Sequence, residues 1–368
     1  MKNMPRALEG AQPKAYPIYR AEGTHRELGR QHGEQAKEHI TAHLDFMCES
    51  MKLSRNDLRD RASTFRPLFE KHCPHLIGEI VGLGEGVGVT FEDALATNIR
   101  GALNQAAEGG CTSFVVSRHG TAQKQILIGQ NSDVVPAVMD FSYVLQLKPT
   151  GRPEVLMWTF GGMIGYHGIN SHGVGNFAND LDGGPEPRFG MPHYPVKRMM
   201  LECRSLGEVV QLLHDIQLWC NGNYVLCDGR GEIADIEATP DGPCSLSDND
   251  HGFIAHSNHF VCSQHATKEN HDKSAVDSFS RLTRMNELIE SRFGQLTVDD
   301  FKTFLRDRDG DPSGICRVAQ TTDPEADWVT AGITIASIVA EPEKRQIHVA
   351  AGNKAETPFE VYEMHGVS

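Results

Sequence analysis

The feature that most constrains the fold is a change of texture at Gly109-Gly110-Cys111. Upstream, the chain reads as helix. Thr24 and Glu27 stand where a capping box has its two members, and Leu28, Ile40, Leu44 and Met47 then recur near helical spacing. Further helices are predicted over 55–72 and 74–83, followed by a glycine-rich break from Gly82 to Gly88 and a last helix, capped by Thr90, through Asn98. Downstream of Gly110, short apolar and β-branched segments alternate with turns: CTSFVVS, QILIGQNSD, FSYVLQL, EVLMWTF, MIGYHGINS and GVGNFAND. Helical patterning returns over about 195–218 and 275–307, while YVLCD, EIADIEA, ITIASIVAEP and QIHVAAG read as further strands. This order predicts a layered α+β core. No long linker and no internal repeat divides it, so one cooperative unit is expected. The Pro/Gly-rich stretch DLDGGPEPRFGMPHYP, about 181–195, is too long for a tight turn and too polar for core, and is expected to lie as a loop over the site.

Composition removes several function classes. The chain has 368 residues, 39% of them hydrophobic, enough to bury a substantial core, and a net charge of -14. That acidic balance is unlike the basic footprint of a nucleic-acid binder. The first twenty residues carry neither a hydrophobic signal core nor a membrane-spanning length, so a cytoplasmic protein without nucleic-acid or membrane partners is expected. The nine cysteines are scattered without CxxC pairs. Neither a disulfide framework nor a zinc ribbon is indicated, and most should be reduced and buried.

From the residues alone, a free cysteine such as Cys111 at the start of a strand is ordinarily packing. Five histidines crowd 251–271, and His256-x-x-His259 offers half of a zinc site, which makes a zinc-dependent hydrolase a rival reading. No HExxH accompanies it. GLGEGVG at 82–88 resembles a nucleotide loop, yet it follows helical texture and lacks a GK[ST] ending, so no cofactor is expected.

The order of several fragments carries more. GTHRELGRQHG (23–33), EIVGLGEGVGVTFEDALATN (79–98), GGCTS (109–113), GQNSD (129–133), MIGYHGINSHGVG (163–175), HSNH (256–259), SFSRLTR (278–284) and ITIASIVAEPEKRQIHVAAGN (333–353) span nearly the whole chain. Together they resemble the isopenicillin N acyltransferase-like N-terminal-nucleophile hydrolases, which include fungal penicillin acyltransferase and the insect β-alanyl amide hydrolases.

The resemblance implies a four-layer αββα sandwich and self-cleavage between Gly110 and Cys111. Residues 1–110 would be released as a helical chain that stays bound, and 111–368 would form the catalytic chain. Cys111 would supply both a thiol nucleophile and an α-amine base, whose unperturbed pKa is about 7.7–8.0. Asn258 matches the family's oxyanion asparagine, and Asp133 the acidic residue near the new amino terminus or the substrate. Ser280 and Arg281 match a Ser-Arg pair, the hydroxyl for the amine and the guanidinium for Asp133 or a substrate carboxylate. Ser113 is expected to reach the amine and Tyr166 and His167 to line the pocket, while Thr112 is structural. The implied reaction is cleavage of a small-molecule amide through a thioester, with N-acyl transfer from acyl-coenzyme A to a small amine as the alternative, and no metal or cofactor.

Overall fold

The computed structural model describes residues 12–103, 109–246, 251–273, 276–321 and 331–364. The first third holds β1 (Ile18–Gly23) and the helices α1 (His25–Gln35), α2 (Lys37–Ser50), α3 (Arg55–Ser63), α4 (Arg66–His72), α5 (Pro74–Val87), α6 (Phe91–Asn98) and α7 (Arg100–Leu103). Next come β2 (Gly109–Val116), β3 (Leu127–Val134), β4 (Ser142–Pro149), β5 (Val155–Phe160), β6 (His167–Asn170) and β7 (Gly175–Asp180). The helices α8 (His193–Met200) and α9 (Leu206–Asp215) precede β8 (Gly222–Cys227), β9 (Ile233–Thr239), β10 (Gly242–Leu246) and β11 (Phe253–His256). The chain closes with α10 (Lys268–Lys273), α11 (Val276–Glu290), α12 (Val298–Phe304), β12 (Ile333–Glu341), β13 (Gln346–Ala351) and β14 (Glu360–Glu363).

Two sheets result, one of eight strands in the order β1-β4-β5-β6-β7-β8-β9-β10 and one of six in the order β11-β2-β3-β12-β13-β14. Strand alternation sends successive side chains to opposite faces. In β2, Val115 therefore joins Ile128, Trp158, Phe177 and Ile338 between the sheets. Its neighbours Phe114 and Val116 pack the other way, with Met285, Ile289 and Phe301 of α11 and α12. The outer face of the eight-stranded sheet, with Tyr143, Met157, Tyr224 and Ile236, is covered by Leu28, Ile40, Leu44 and Ile80 of the amino-terminal helices. Three apolar interfaces thus separate four layers, helix, sheet, sheet and helix.

Thr24 and Glu27 form the capping box of α1, and Thr90 caps α6 with Asp93 as its partner. Other expectations need correction. The glycine-rich segment is not a break: α5 runs on through Val87 and stops at Gly88, whose φ of 85° suits a left-handed cap. Within α5, a Cβ at Gly82 would run into the Arg26 carbonyl of α1. Close approach of two helix backbones thus offsets the poor helix propensity of glycine. The predicted 55–72 helix divides because Pro67 opens a fresh first turn in α4. Ser205 starts α9 and Thr297 starts α12, dividing 195–218 and 275–307. The segment Ile18–Gly23 is a strand, parallel to β4, ahead of the helices. Cys244 and Cys262 form a disulfide, so the cysteines are not all unpaired, and of the other seven only Cys73, Cys227 and Cys316 are fully buried. No helix among the described residues is long and apolar enough to cross a membrane.

Candidate active site

Cys111 lies at the head of β2, where Gly109, Gly110 and Cys111 face Val134, Asp133 and Ser132 of β3. A side chain at position 109 would meet the Asp133 carbonyl oxygen at 2.5 Å and Val134 Cγ1 at 2.6 Å, so only glycine fits there. Alternation turns the Cys111 thiol toward the space between the sheets, and Thr112 toward the helices behind. The thiol borders a cavity of about 420 Å³.

Behind the strand, the backbone of Cys111 is held at both ends. Its N–H donates to Asn258 Oδ1 at 3.0 Å, and its carbonyl accepts from Arg281 at 2.7 Å. The Arg281 guanidinium also donates to Thr112 Oγ1 at 2.9 Å and to Asn258 Oδ1 at 2.8 Å. It is 2% exposed and rests on Asp277, which Arg317 holds as well. The segment after β11 brings Asn258 here because β11 pairs with β2, with His256 opposite Ser113. Two donors face its Oδ1, while its Nδ2 donates to the Asp180 carbonyl at 2.9 Å, so the amide orientation is fixed. Its own N–H is bound by Ser278 Oγ at 2.8 Å.

On the cavity side, Ala178 N–H donates to Gln130 Oε1 at 3.0 Å. Gln130 Nε2 is thereby turned toward Cys111 Sγ at 3.8 Å, Ser132 Oγ at 2.8 Å and His167 Nδ1 at 2.7 Å. The imidazole accepts at Nδ1 and carries its hydrogen on Nε2, which faces Lys197 Nζ at 3.3 Å. Burial, aided by Lys197, holds the His167 pKa well below its ordinary value and so keeps the ring neutral. Burial raises the Cys111 thiol, Asp180 and Asp133 push it the same way, and Lys197 and Arg281 oppose them. Asp180 opens onto the cavity, yet the protein enclosing it raises its carboxyl.

An inward nucleophile whose backbone is clamped from behind invites comparison with known amide-bond chemistry. The family model for acyl-coenzyme A:6-aminopenicillanic acid acyl-transferase matches residues 120–356. The chain belongs to this acyl-transferase family. It is 26% identical over 352 residues to the 40 kDa form of acyl-coenzyme A:6-aminopenicillanic-acid-acyltransferase from Emericella nidulans, covering 93% of this chain and 94% of that one. Among solved structures it is similar to penicillin V acylase from Agrobacterium tumefaciens, with TM-score 0.50 and 13% identity over 69% of this chain and 86% of the other. The two packed sheets between helical layers are those of the N-terminal-nucleophile hydrolase fold.

In this acyl-transferase family member, Cys111, Asn258 and Arg281 meet directly. Asp133 is fully buried on the Thr112 side of the sheet, where its Oδ1 accepts from Thr334 Oγ1 at 2.6 Å and its Oδ2 has no partner among the described residues. Burial raises its carboxyl against the pull of Arg281 and Arg317. No direct bond joins it to Arg281, whose guanidinium is taken by Cys111, Thr112, Asn258 and Asp277. Ser280 is exposed and donates to the Asp277 carbonyl at 3.0 Å, so its hydroxyl is turned away from Cys111. The Ser113 hydroxyl donates to Asn179 Oδ1 at 2.5 Å between the sheets instead of reaching the Cys111 nitrogen. Tyr166 and His167 line the cavity, stacked at 3.9 Å.

The zinc pair is overturned by its bonding. His256 has Nδ1 on the Ser257 carbonyl and Nε2 on Glu237, leaving no lone pair for a metal. Burial alone would lower its pKa, but Asp235 and Glu237 outweigh burial and raise it. His259 is turned to Ser257 and Ser278. Sequence reading passed over Gln130, Ser278, Asp180 and Lys197. Gln130 lies within the GQNSD fragment that drew attention to Asp133, whereas a lysine in the amphipathic α8 carries no signal that it points inward.

Proposed function

We propose that the chain is a self-processing cysteine N-terminal-nucleophile enzyme that breaks a small-molecule C–N amide bond through a thioester. The observation that carries this reading is the backbone of Cys111, held by Asn258 and Arg281 while its thiol faces the cavity. In maturation, Cys111 Sγ attacks the Gly110 carbonyl carbon. The C–N bond breaks, the thiol proton passes to the departing nitrogen, and water then hydrolyses the thioester to leave a Gly110 carboxylate and a free Cys111. The new α-amine inherits Asn258 Oδ1 as an acceptor, with the buried Asp133 carboxyl, whose Oδ2 has no partner among the described residues, nearby.

In turnover, the α-amine takes the thiol proton as Sγ attacks the substrate carbonyl, then delivers it to the leaving amine. The Asn258 amide has a second N–H besides the one bound to Asp180, and this N–H is the donor for the oxyanion. Water as acceptor makes the protein an amidohydrolase. An amine acceptor with an acyl-coenzyme A donor makes it an N-acyltransferase, a second reading favoured by the Emericella nidulans relative.

Intact mass and N-terminal sequencing of the wild type beside Cys111→Ala test the proposal. Two fragments, the larger beginning Cys-Thr-Ser, are expected in the wild type and a single inactive chain in the variant. Equal cleavage or full activity in Cys111→Ala removes the nucleophile from the reading.

A further inference from the structure

Three elements converge on a group of side chains that the proposed chemistry does not use. His25 opens α1, His75 stands in the first turn of α5, and Glu202 follows α8. None of them lines the cavity of Cys111. Each offers a nitrogen or oxygen atom within 4.8 Å of those of the other two. The imidazole rings of His25 and His75 have their centroids 4.8 Å apart and are tilted by 60°. Behind His25, the fully buried Glu79, itself held by Arg198, accepts from Nδ1 at 2.7 Å. An ionised carboxylate can only accept, so Nδ1 carries a hydrogen and the neutral ring presents a bare lone pair at Nε2. That Nε2 is buried and has no hydrogen-bond partner among the described residues. Unmet polar atoms of this kind are uncommon and costly. A carboxylate on one ring nitrogen and an open lone pair on the other is how a metal-binding histidine is held.

The other two members complete a donor set. His75 Nε2 meets Glu202 Oε2 at 2.8 Å, and Arg152 donates to the same oxygen at 2.8 Å. Arg198 holds the opposite oxygen, Oε1, at 3.1 Å. Arg152 is 39% exposed and free to turn out to water, whereas Arg198 is fully buried. With Arg152 withdrawn, the carboxylates of Glu79 and Glu202 face one buried guanidinium, and the excess negative charge favours a divalent cation. His75 is 22% exposed, which gives an ion a path from solvent and leaves a position for water. Two imidazole nitrogens and one carboxylate oxygen suit zinc, whereas calcium and magnesium take oxygen ligands. Metal bonds of about 2.0–2.2 Å require side-chain movements of about 1 Å here. We propose that His25 Nε2, His75 Nε2 and Glu202 Oε2 bind one zinc ion, with His75 carrying its ring hydrogen on Nδ1 once the ion is in place. Resting on the cleavage proposed above, the ion joins His25 and His75 of the shorter chain to Glu202 of the longer one and clamps the two together.

Calorimetric titration of the wild type and of His75→Ala with zinc chloride, after both are stripped with EDTA, tests the inference. The wild type is expected to take up one equivalent more than the variant, with a Kd of about 10 µM or tighter. Cys111 and the remaining histidines are common to both proteins, so the difference isolates this site. Cobalt should give the visible absorption bands of a four- or five-coordinate ion in the wild type and lose them in the variant. Equal uptake in the two proteins, or no zinc binding up to about 100 µM, overturns the site. If His75→Ala does not fold, labelling of the wild type with diethyl pyrocarbonate decides: zinc should shield His75 in the peptide mass map, and equal labelling overturns the site. In the cleaved protein, zinc at about 100 times its Kd should favour the folded pair of chains by up to about 100-fold and raise the urea midpoint. An unchanged midpoint overturns the clamp. Intact mass of the same preparation records self-cleavage separately. A cleaved protein that takes up no extra zinc sinks the site and leaves the reaction standing, whereas an uncleaved chain that takes it up keeps the site and removes the bridge between chains.

Discussion

Asn258 commits its side-chain oxygen to two donors and one of its N–H bonds to the Asp180 carbonyl, so a single N–H is left for chemistry. Removing the amide takes away that donor and the acceptor on Cys111 together. Asn258→Ala is expected to lower turnover of the processed fraction by about 100-fold or more, the usual loss for one oxyanion donor. Unchanged turnover per processed molecule would assign Asn258 to positioning the Cys111 nitrogen alone. At this scale the sequence is informative where a role needs a particular residue at a particular neighbour. The meeting of Cys111 with Asn258 was legible only through the fragments GGCTS and HSNH and the family they resemble, since Cys111 alone reads as packing. Ser113 and Ser280 were not, because a hydroxyl takes its partner from three-dimensional surroundings, Asn179 in one case and the Asp277 carbonyl in the other.

At the scale of elements, the contact of α1 with α5 depends on missing side chains. A Cβ at Gly82 would strike Arg26, whereas one at Gly78 of the same helix would find its nearest atoms 3.8 Å away. The two positions form a matched pair. In a Cys111→Ala background, which should keep the chain intact, Gly82→Ala is expected to lower stability by about 2 kcal/mol through overpacking. Gly78→Ala should be neutral or stabilising by up to about 1 kcal/mol from helix propensity. Urea denaturation separates the cases, and equal effects would mean that the helices can part without penalty. Here the sequence misleads for a physical reason. Glycines that break an isolated helix are the ones that allow two helices to touch, and only the partner helix tells the two uses apart.

Across the whole molecule, the order of strands and helices was sufficient to anticipate a layered α+β core, since alternation in β2 and β3 and the caps at Thr24 and Thr90 are local signals, while the four-layer sandwich followed from the family resemblance. The pairing of β1 with β4 was not legible. A six-residue strand ahead of seven helices acquires its meaning from a partner more than a hundred residues away. The apolar faces of Leu28, Ile40, Leu44 and Ile80 lie against the eight-stranded sheet. After cleavage, the two fragments are therefore expected to co-elute on size exclusion in native buffer and to separate only in denaturant. Loss of the smaller fragment without denaturant would contradict this account of the helical layer.

The parallel pairing of β1 with β4 also orders events in time. The register runs from Ile18 against Val144 to Gly23 against Pro149, across the point where the chain is proposed to be cut. A tethered strand finds such a partner at the modest entropic cost of closing a loop, whereas two separate chains would have to meet first. Chain continuity is needed once, while the wall is assembled. After that, hydrogen bonds and buried side chains would do what the peptide bond had done, and the proposed scission would record that folding is already complete.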